Sequence, residues 1–453
     1  MKESILAQEQ EKHYTVQEKN KIQQLSIMKK ALLVLLLAFV QFIGIAQKIE
    51  TVASPAQAGF SAEKLQKLDR MMQDWVKMGW MQGGVAIAIR NGKIGYYSSV
   101  GYDDLEAGTP MRRDGIFRIA SQTKAITSTA IMILFEEGKI LLDDPVSKYL
   151  PAFKKQQVLD KFNPEDSSYT TVPAKSEVTV RQLLTHTSGI GYAQIGSKES
   201  NAIYAKANLT AGIGVMDDNL LAAMNRLGKL PLMHQPGERF TYGLNTDVLG
   251  CLVEVISGET LDSFFRKRIF EPLGMKDTYF EIPASKANRL VHLYKEEADG
   301  RLIKAPGNIL NGKTISPEYP LQHSTYYSGG AGLSSTIYDY AVFLQMLANS
   351  GVYNGKRILS RNTVRMMTMN QIGDLNQSGA DKFGLGFQVV TERGSARTPS
   401  NPGTFSWGGA FATSYWVDPK EKMVFLFYRQ LQSTTKGEMV EKFRAMLYSA
   451  LND

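Results

Sequence analysis

Apolar positions recur at helical spacing in one part of the chain and in short continuous runs in others, and the alternation between these patterns predicts its elements. From Ser61 onward, Leu65, Leu68, Met72 and Trp75 fall three or four places apart, which predicts an amphipathic helix with one buried face. A hairpin follows: the run Val-Ala-Ile-Ala-Ile-Arg at 85–90, the turn pair Asn91-Gly92, and a second strand over 93–100. Residues 125–135 contain no charged side chain and Gly138 lies just beyond them, so they predict an interior helix with a C-terminal stop. The stretch from about 140 to 320 reads as helices and loops punctuated by Pro and Gly. Strand patterns return at 383–390, 411–417 and 423–429, with a turn at Asp418-Pro419, and an amphipathic helix over 438–451 closes the pattern. Strands toward both ends around a helical middle predict an α+β fold. Its antiparallel sheet is built from both chain ends and flanked by helices, with a mostly helical region, about 140–320, inserted.

The amino-terminal segment follows another rule. Met28, Lys29 and Lys30 precede an apolar run from Ala31 to Ala46 that is broken by Gln41 and ends in small residues. That is the layout of a secretory signal peptide, and the run is shorter than the roughly 17–25 residues a membrane span needs. The expectation is therefore initiation at Met28, with 1–27 a mis-assigned start. Cleavage after Ala46 then leaves a domain over 47–453, exported to the periplasm or secreted, with no membrane span after cleavage. An uncleaved anchor with a cytoplasmic tail is the alternative.

Composition changes this picture little. With 43% hydrophobic and 21% charged residues, the chain is neither mainly disordered nor fibrous. Of the net charge of +8, residues 1–46 carry +2, from six lysines and four glutamates. No Lys/Arg block interrupts the remainder, so a solvated, slightly basic surface is expected rather than a nucleic-acid groove. The single cysteine, Cys251, lies in an apolar run and reads as a buried structural thiol, with no disulfide framework available within the chain.

Candidate chemistry centres on "IASQTKAITS", residues 119–128. Ser-x-x-Lys occurs at Ser26, Ser61, Ser121 and Ser433, so the spacing alone selects nothing. Serine is a favoured helix N-cap, but a capping box places an acid or amide three residues on. At 121 that place holds Lys124, a cation where the helix dipole disfavours one. Apolar neighbours are expected to strip its solvation and lower its pKa, which would leave a neutral amine beside a hydroxyl. The backbone N–H of Ser121, at a helix start, can face a developing oxyanion. Competing patterns fail: there is no Gly-x-Ser-x-Gly elbow. The stretch "GVYNGK" is short of a P-loop, and the histidines at 13, 186, 234, 292 and 323 have no metal-ligand spacing. No metal or other cofactor is expected.

Six segments, in order, carry a resemblance: "FRIASQTKAITSTAIMILFEEGKILLDDPVSKYLP", "VRQLLTHTSGI", "QPGERFTYGLNTDVLG", "PLGMKDT", "SGGAGLSSTIYDYAVFLQML" and "FSWGGAFATSYWVDP". Over about residues 55–450 the chain resembles the serine beta-lactamase-related family, which includes class C beta-lactamases, penicillin-binding DD-peptidases and family VIII carboxylesterases. The resemblance implies a beta-lactamase/transpeptidase-like fold with Ser121 as nucleophile, Lys124 as base or proton relay, and Tyr242 moving the proton to the leaving group. Trp407, Gly408 and Gly409 match a strand motif that faces the nucleophile, and the N–H of Ala410 matches a second oxyanion donor beside that of Ser121. Gln122, Leu244 and Asn245 join them as substrate-binding candidates, while His186 matches a structural element.

Two departures narrow the expected activity. Tyr242 is followed by Gly243 and Leu244, with Asn245 one place later than in the family's Tyr-x-Asn. Trp407 stands where lactamases and peptidases carry a lysine, which removes a charge-assisted hydrogen bond worth about 1.5–3 kcal/mol. Both match the esterase branch, so the expected partner is a small-molecule ester or amide, with short-chain or aryl esters favoured. A beta-lactamase or D-amino-acid peptidase is the alternative, and a non-catalytic binding protein retaining the fold is a second.

Overall fold

The computed structural model describes residues 48–307, 315–375 and 379–452, together with residues 6, 12–19, 21 and 23–30. The chain divides into two units, Met1–Gln47 and Lys48–Asp453. In the first, 12–19 and 23–30 are helical and exposed. The apolar run 31–46, with its expected cleavage point, lies outside the described residues. Among the described residues no helix is long and apolar enough to cross a membrane.

One nine-stranded sheet organises the second unit. Its strands are β1 (Glu50–Thr51), β2 (Gly83–Arg90), β3 (Lys93–Asp104), β4 (Thr109–Pro110), β5 (Lys382–Phe383), β6 (Gln388–Val389), β7 (Phe405–Gly409), β8 (Thr413–Asp418) and β9 (Met423–Tyr428). They lie in the order β1-β3-β2-β9-β8-β7-β6-β5, with β4 on β3. The two parts of the chain join where β2 pairs antiparallel with β9, Val85 opposite Tyr428 and Arg90 opposite Met423. The β2–β3 hairpin turns through Asn91 (φ 53°) and Gly92 (φ 74°), the two left-handed residues that a type I′ turn requires.

Helices cover both faces, which explains why 85–90 reads as a continuous apolar run instead of an alternating one. Val85, Ile87 and Ile89 pack with Leu426, Tyr428 and the helices α2 (Thr123–Glu136), α3 (Asn245–Ser257) and α4 (Ile337–Ala348). Ala86 and Ala88 face the other way, with Phe425 and Phe427, onto α1 (Ala62–Lys77) and α5 (Glu438–Ser449). There the Phe427 and Phe443 rings stack 4.7 Å apart. Cys251 is buried within α3. α2 is buried along nearly its whole length and stops at Gly138, φ 69°, as a helix with no polar face requires.

Three expectations need correction. The sheet is not wholly antiparallel: β1 runs parallel to β3, Glu50 opposite Lys93, because α1 and β2 intervene and no hairpin joins the two. Residues 383–390 do not form one strand. Leu385 N–H donates to Met367 O at 2.9 Å and Gly384 N–H to Phe387 O at 2.7 Å, so the centre of the run turns and only its ends pair as β5 and β6. The region 140–320 is mixed rather than mostly helical. It holds an antiparallel hairpin of Gln157–Phe162 with Tyr169–Pro173 and a second of Tyr294–Glu296 with Leu302–Lys304. The first is tied to the domain through Leu159 N–H to Leu232 O and Leu232 N–H to Gln157 O, each 2.8 Å. The Leu232 hydrogen bonds bridge residues more than seventy positions apart, beyond the reach of local periodicity.

Candidate active site

The segment that carries Ser121 passes through three conformations in seven residues. A short strand, Phe117–Arg118, leads into a 3-10 turn over Ala120–Gln122 and then into α2. Ala120 is left-handed at φ 42° although it is not glycine, a strain of about 1–3 kcal/mol that the surrounding packing must offset. Ala120 and Gln122 are buried, whereas Ser121 between them remains partly exposed. Ser121 does not cap α2; the N-cap position is Gln122, and no side chain caps there.

The Ser121 hydroxyl instead faces Lys124. Lys124 Nζ donates to Ser121 Oγ at 3.3 Å, to Tyr192 OH at 3.3 Å and to Gly330 O at 2.8 Å. The same ammonium lies over the Tyr242 ring, 4.7 Å from its centroid, and over that of Tyr192 at 5.4 Å, so two aromatic faces replace part of its lost hydration. Burial pushes Lys124 toward the neutral amine, as expected from its neighbours. The phenols of Tyr192 and Tyr242 and the carboxyl of Asp247 outweigh burial, and Lys124 is held above its ordinary value. The expectation of a lowered pKa is thus corrected: an apolar sequence context does not reveal the oxygen atoms that tertiary contacts bring to the ammonium.

Tyr242 lies in the loop before α3, placed by Thr241 N–H to His186 O at 2.7 Å and Leu244 N–H to Gly191 O at 3.0 Å. Its hydroxyl accepts from Trp407 Nε1 at 3.4 Å, and the two rings are 5.5 Å apart. His186 packs on the far side of Tyr242, 4.8 Å between centroids. Burial and then the Lys124 charge hold its imidazole well below its usual pKa, so this ring is neutral and structural.

β7 brings Trp407, Gly408 and Gly409 alongside Ser121. A Cβ on Gly409 would overlap Ile119 O, so glycine is required for the strand to lie this close to the Ser121 segment. A Cβ on Gly408 would meet nothing nearer than Thr413 O at 3.3 Å. Ala410 is exposed just past the end of β7.

Three expected substrate-binding residues turn inward. Asn245 is fully buried: its amide accepts from Ser188 Oγ and faces His186 Nδ1 at 3.0 Å. Leu244 is core. Gln122 is buried, its side-chain oxygen accepting from Tyr428 OH and its backbone oxygen from Tyr340 OH at 2.7 Å. Each is adjacent in sequence to a site residue or close to one, but its side chain is committed to the interior. Two groups of the site went unread. Tyr192 follows Gly189 and Gly191, and Gly330 lies in "SGGAG"; no spacing ties either to Lys124. A cavity of about 670 Å³ adjoins Tyr192 and Tyr242, walled by Phe162, Phe240, Glu199 and Arg239.

Residues 68–448 match the Beta-lactamase family. This chain belongs to that family. It is 34% identical over 365 residues to an uncharacterized protein of Mycobacterium tuberculosis (strain CDC 1551 / Oshkosh), covering 78% of this chain and 86% of that one. It is 30% identical over 381 residues to esterase EstB of Burkholderia gladioli, covering 81% and 91% of the two chains. Its fold matches that of EstCE1, "a hydrolase with promiscuous acyltransferase activity", with a TM-score of 0.72 and 26% identity over 85% of this chain and 98% of the other. The chain is thus a member of a family of beta-lactamase-fold serine hydrolases, and the fold is the beta-lactamase/transpeptidase-like one its motifs imply.

Proposed function

We propose that this protein is an exported carboxylic-ester hydrolase that works through an acyl-enzyme on Ser121. The contact between Lys124 Nζ and Ser121 Oγ carries the reading, because it presents a serine hydroxyl to a buried cation that is itself held against two tyrosines. Ser121 Oγ attacks the ester carbonyl carbon, forming a C–O bond. The developing oxyanion is met by the N–H groups of Ser121 and Ala410. The Tyr242 oxygen, as a phenolate beside the Lys124 charge, takes the serine proton and, as a phenol, gives it to the departing alcohol as the ester C–O bond breaks; water then releases the acid by the same route.

Lys124 contributes a fixed positive charge in this scheme instead of acting as a free amine. It favours the phenolate form of the neighbouring oxygen before the serine proton arrives and after it has passed to the alcohol. Tyr242 is assigned the transfer rather than Tyr192. Tyr192 is buried and its hydroxyl accepts from Lys124 Nζ, whereas Tyr242 is only partly buried and its hydroxyl accepts the Trp407 N–H.

Preference for esters rests on what stands opposite Ser121. Trp407, in the place of the lysine that would attract a substrate carboxylate, is engaged with Tyr242, and Asn245 is buried against His186. Turnover of p-nitrophenyl butyrate and nitrocefin by wild type and Ser121→Ala tests the reading, with intact mass detecting the acylated serine. Ester turnover that depends on Ser121 is expected. Fast nitrocefin turnover without ester hydrolysis would move the protein to the lactamase or peptidase class; no Ser121-dependent turnover of any acyl substrate would indicate a binding protein. Export predicts that the native amino terminus is Gln47, and a retained Met1 would exclude it.

A further inference from the structure

Behind Lys124, on the side away from Ser121, a carboxyl group is buried that the mechanism above does not use. Asp247, in the first turn of α3, is fully buried. Its Oδ1 accepts from Ser328 Oγ at 2.6 Å, and Ser328 Oγ in turn accepts from Ala331 N–H at 3.0 Å. Its Oδ2 has no hydrogen-bond partner among the described residues. That oxygen lies under the turn whose Gly330 carbonyl receives Lys124 Nζ. A Cβ on Gly330 would overlap Asp247 Oδ2 and stand 3.5 Å from Lys124 Nζ. The Gly330 backbone thus lies against both the carboxyl and the ammonium.

We propose that Asp247 is the counter-charge of Lys124, a positioning residue that keeps it an ammonium and, through Ser328, holds the Gly330 carbonyl against it. The inference rests on the reading of Ser121 and Lys124 as the reacting pair, and it adds what maintains the charge of that pair. The hydrogen-bond partners of Lys124 are a hydroxyl, a phenol and a carbonyl. Burial works against the ammonium, the phenols of Tyr192 and Tyr242 work for it, and the Asp247 carboxyl adds to them. A carboxylate one peptide away supplies the opposing charge and leaves the Ser121 side of Nζ free for chemistry. The titratable groups facing this pair are Tyr192, Tyr242 and His186 around Lys124, and Tyr326 together with Tyr192 around Asp247. Burial pushes the Asp247 carboxyl up and prevails, while the Ser328 hydroxyl, then the Lys124 charge, then the backbone N–H groups of Gly330 and Asp247 pull it back. A Cβ on Gly330 would collide with Asp247 Oδ2, so glycine lets the carboxyl lie against this turn.

The test reads Lys124 directly. In protein labelled with ε-13C-lysine, the Lys124 resonance is assigned by its loss in Lys124→Arg and followed against pH. Wild type is expected to keep the ammonium shift through pH 10, and in Asp247→Asn the midpoint is expected to fall by about one pH unit or more. An unchanged midpoint in folded Asp247→Asn overturns the proposal. Ser328→Ala, which leaves the carboxyl in place but removes its hydroxyl donor, is expected to move the midpoint the same way by less; it decides the matter if Asp247→Asn does not fold, and no shift there counts against the proposal. Kinetics with p-nitrophenyl butyrate should show kcat falling about tenfold, KM unchanged, and the alkaline limb of the pH profile moving with the midpoint. A fall in kcat with an unmoved limb would mark Asp247 as merely structural. Because the resonance needs no turnover, failure of the esterase reading leaves this test intact.

Discussion

The spacing Ser-x-x-Lys opens both α1 and α2, and the two copies do different work. Ser61 has an ordinary extended backbone, φ −75°, and its hydroxyl accepts from the Lys64 backbone N–H at 3.4 Å. Lys64 Nζ reaches the Ser449 carbonyl at the surface, near the end of α5. This is a helix cap with a solvated lysine. Ser121 follows a left-handed alanine, leaves its helix uncapped, and meets a lysine side chain in the interior. Identical spacing therefore specifies neither outcome. The backbone before the serine decides whether the hydroxyl turns to the helix or away from it, and the burial of the lysine decides whether its charge faces water or the hydroxyl.

Substitutions can break this comparison, beginning with the largest effect. Ser121→Ala is expected to lower ester turnover on the order of a thousandfold or more with the thermal midpoint nearly unchanged; residual activity near wild type would remove the distinction between the two serines. Tyr242→Phe is expected to cost about 10²- to 10⁴-fold in kcat, measured under saturating p-nitrophenyl butyrate, and an equal loss in Tyr192→Phe would place the proton route on the other phenol. Trp407→Lys is expected to improve kcat/KM for the carboxylate-bearing nitrocefin about tenfold, the order of one charge-assisted hydrogen bond, while ester turnover falls because Tyr242 loses its N–H donor. Ser61→Ala is expected to cost about 1 kcal/mol in urea unfolding, the usual worth of a cap, with kcat and KM unchanged. A kinetic defect there would undo the contrast.

Much of the scaffold was legible because its signals are local. The Asn91-Gly92 hairpin, the uncharged interior helix α2 and the Leu65–Trp75 face of α1 each depend on residues within a turn or two of one another. The division of 383–390 was not legible, since the carbonyl that diverts Leu385 belongs to Met367. The hairpin 157–173 was missed for a related reason: its register against Leu232 is set by a strand-like pairing outside its own pattern. In the site, proximity in sequence misled as often as it helped. Gln122 and Leu244 lie beside or near Ser121 and Tyr242, yet the geometry of a 3-10 turn and of a loop sends their side chains into the core. Tyr192 is remote in sequence from Lys124 and touches it.

What residues 119–128 settle unaided is that a serine and a lysine share one turn at the entry to an apolar helix, because helical spacing puts positions three apart on the same face. The motifs that follow supply Tyr242 and the Trp-Gly-Gly strand. Folding alone set the charge and aim of that lysine. Its carbonyl partner Gly330 lies 206 residues along the chain, and the Trp407 N–H reaches Tyr242 across 165. Periodicity and turn chemistry act over a few residues, but the protonation state of a buried group follows from every oxygen and aromatic face packed around it, and those come from the whole chain.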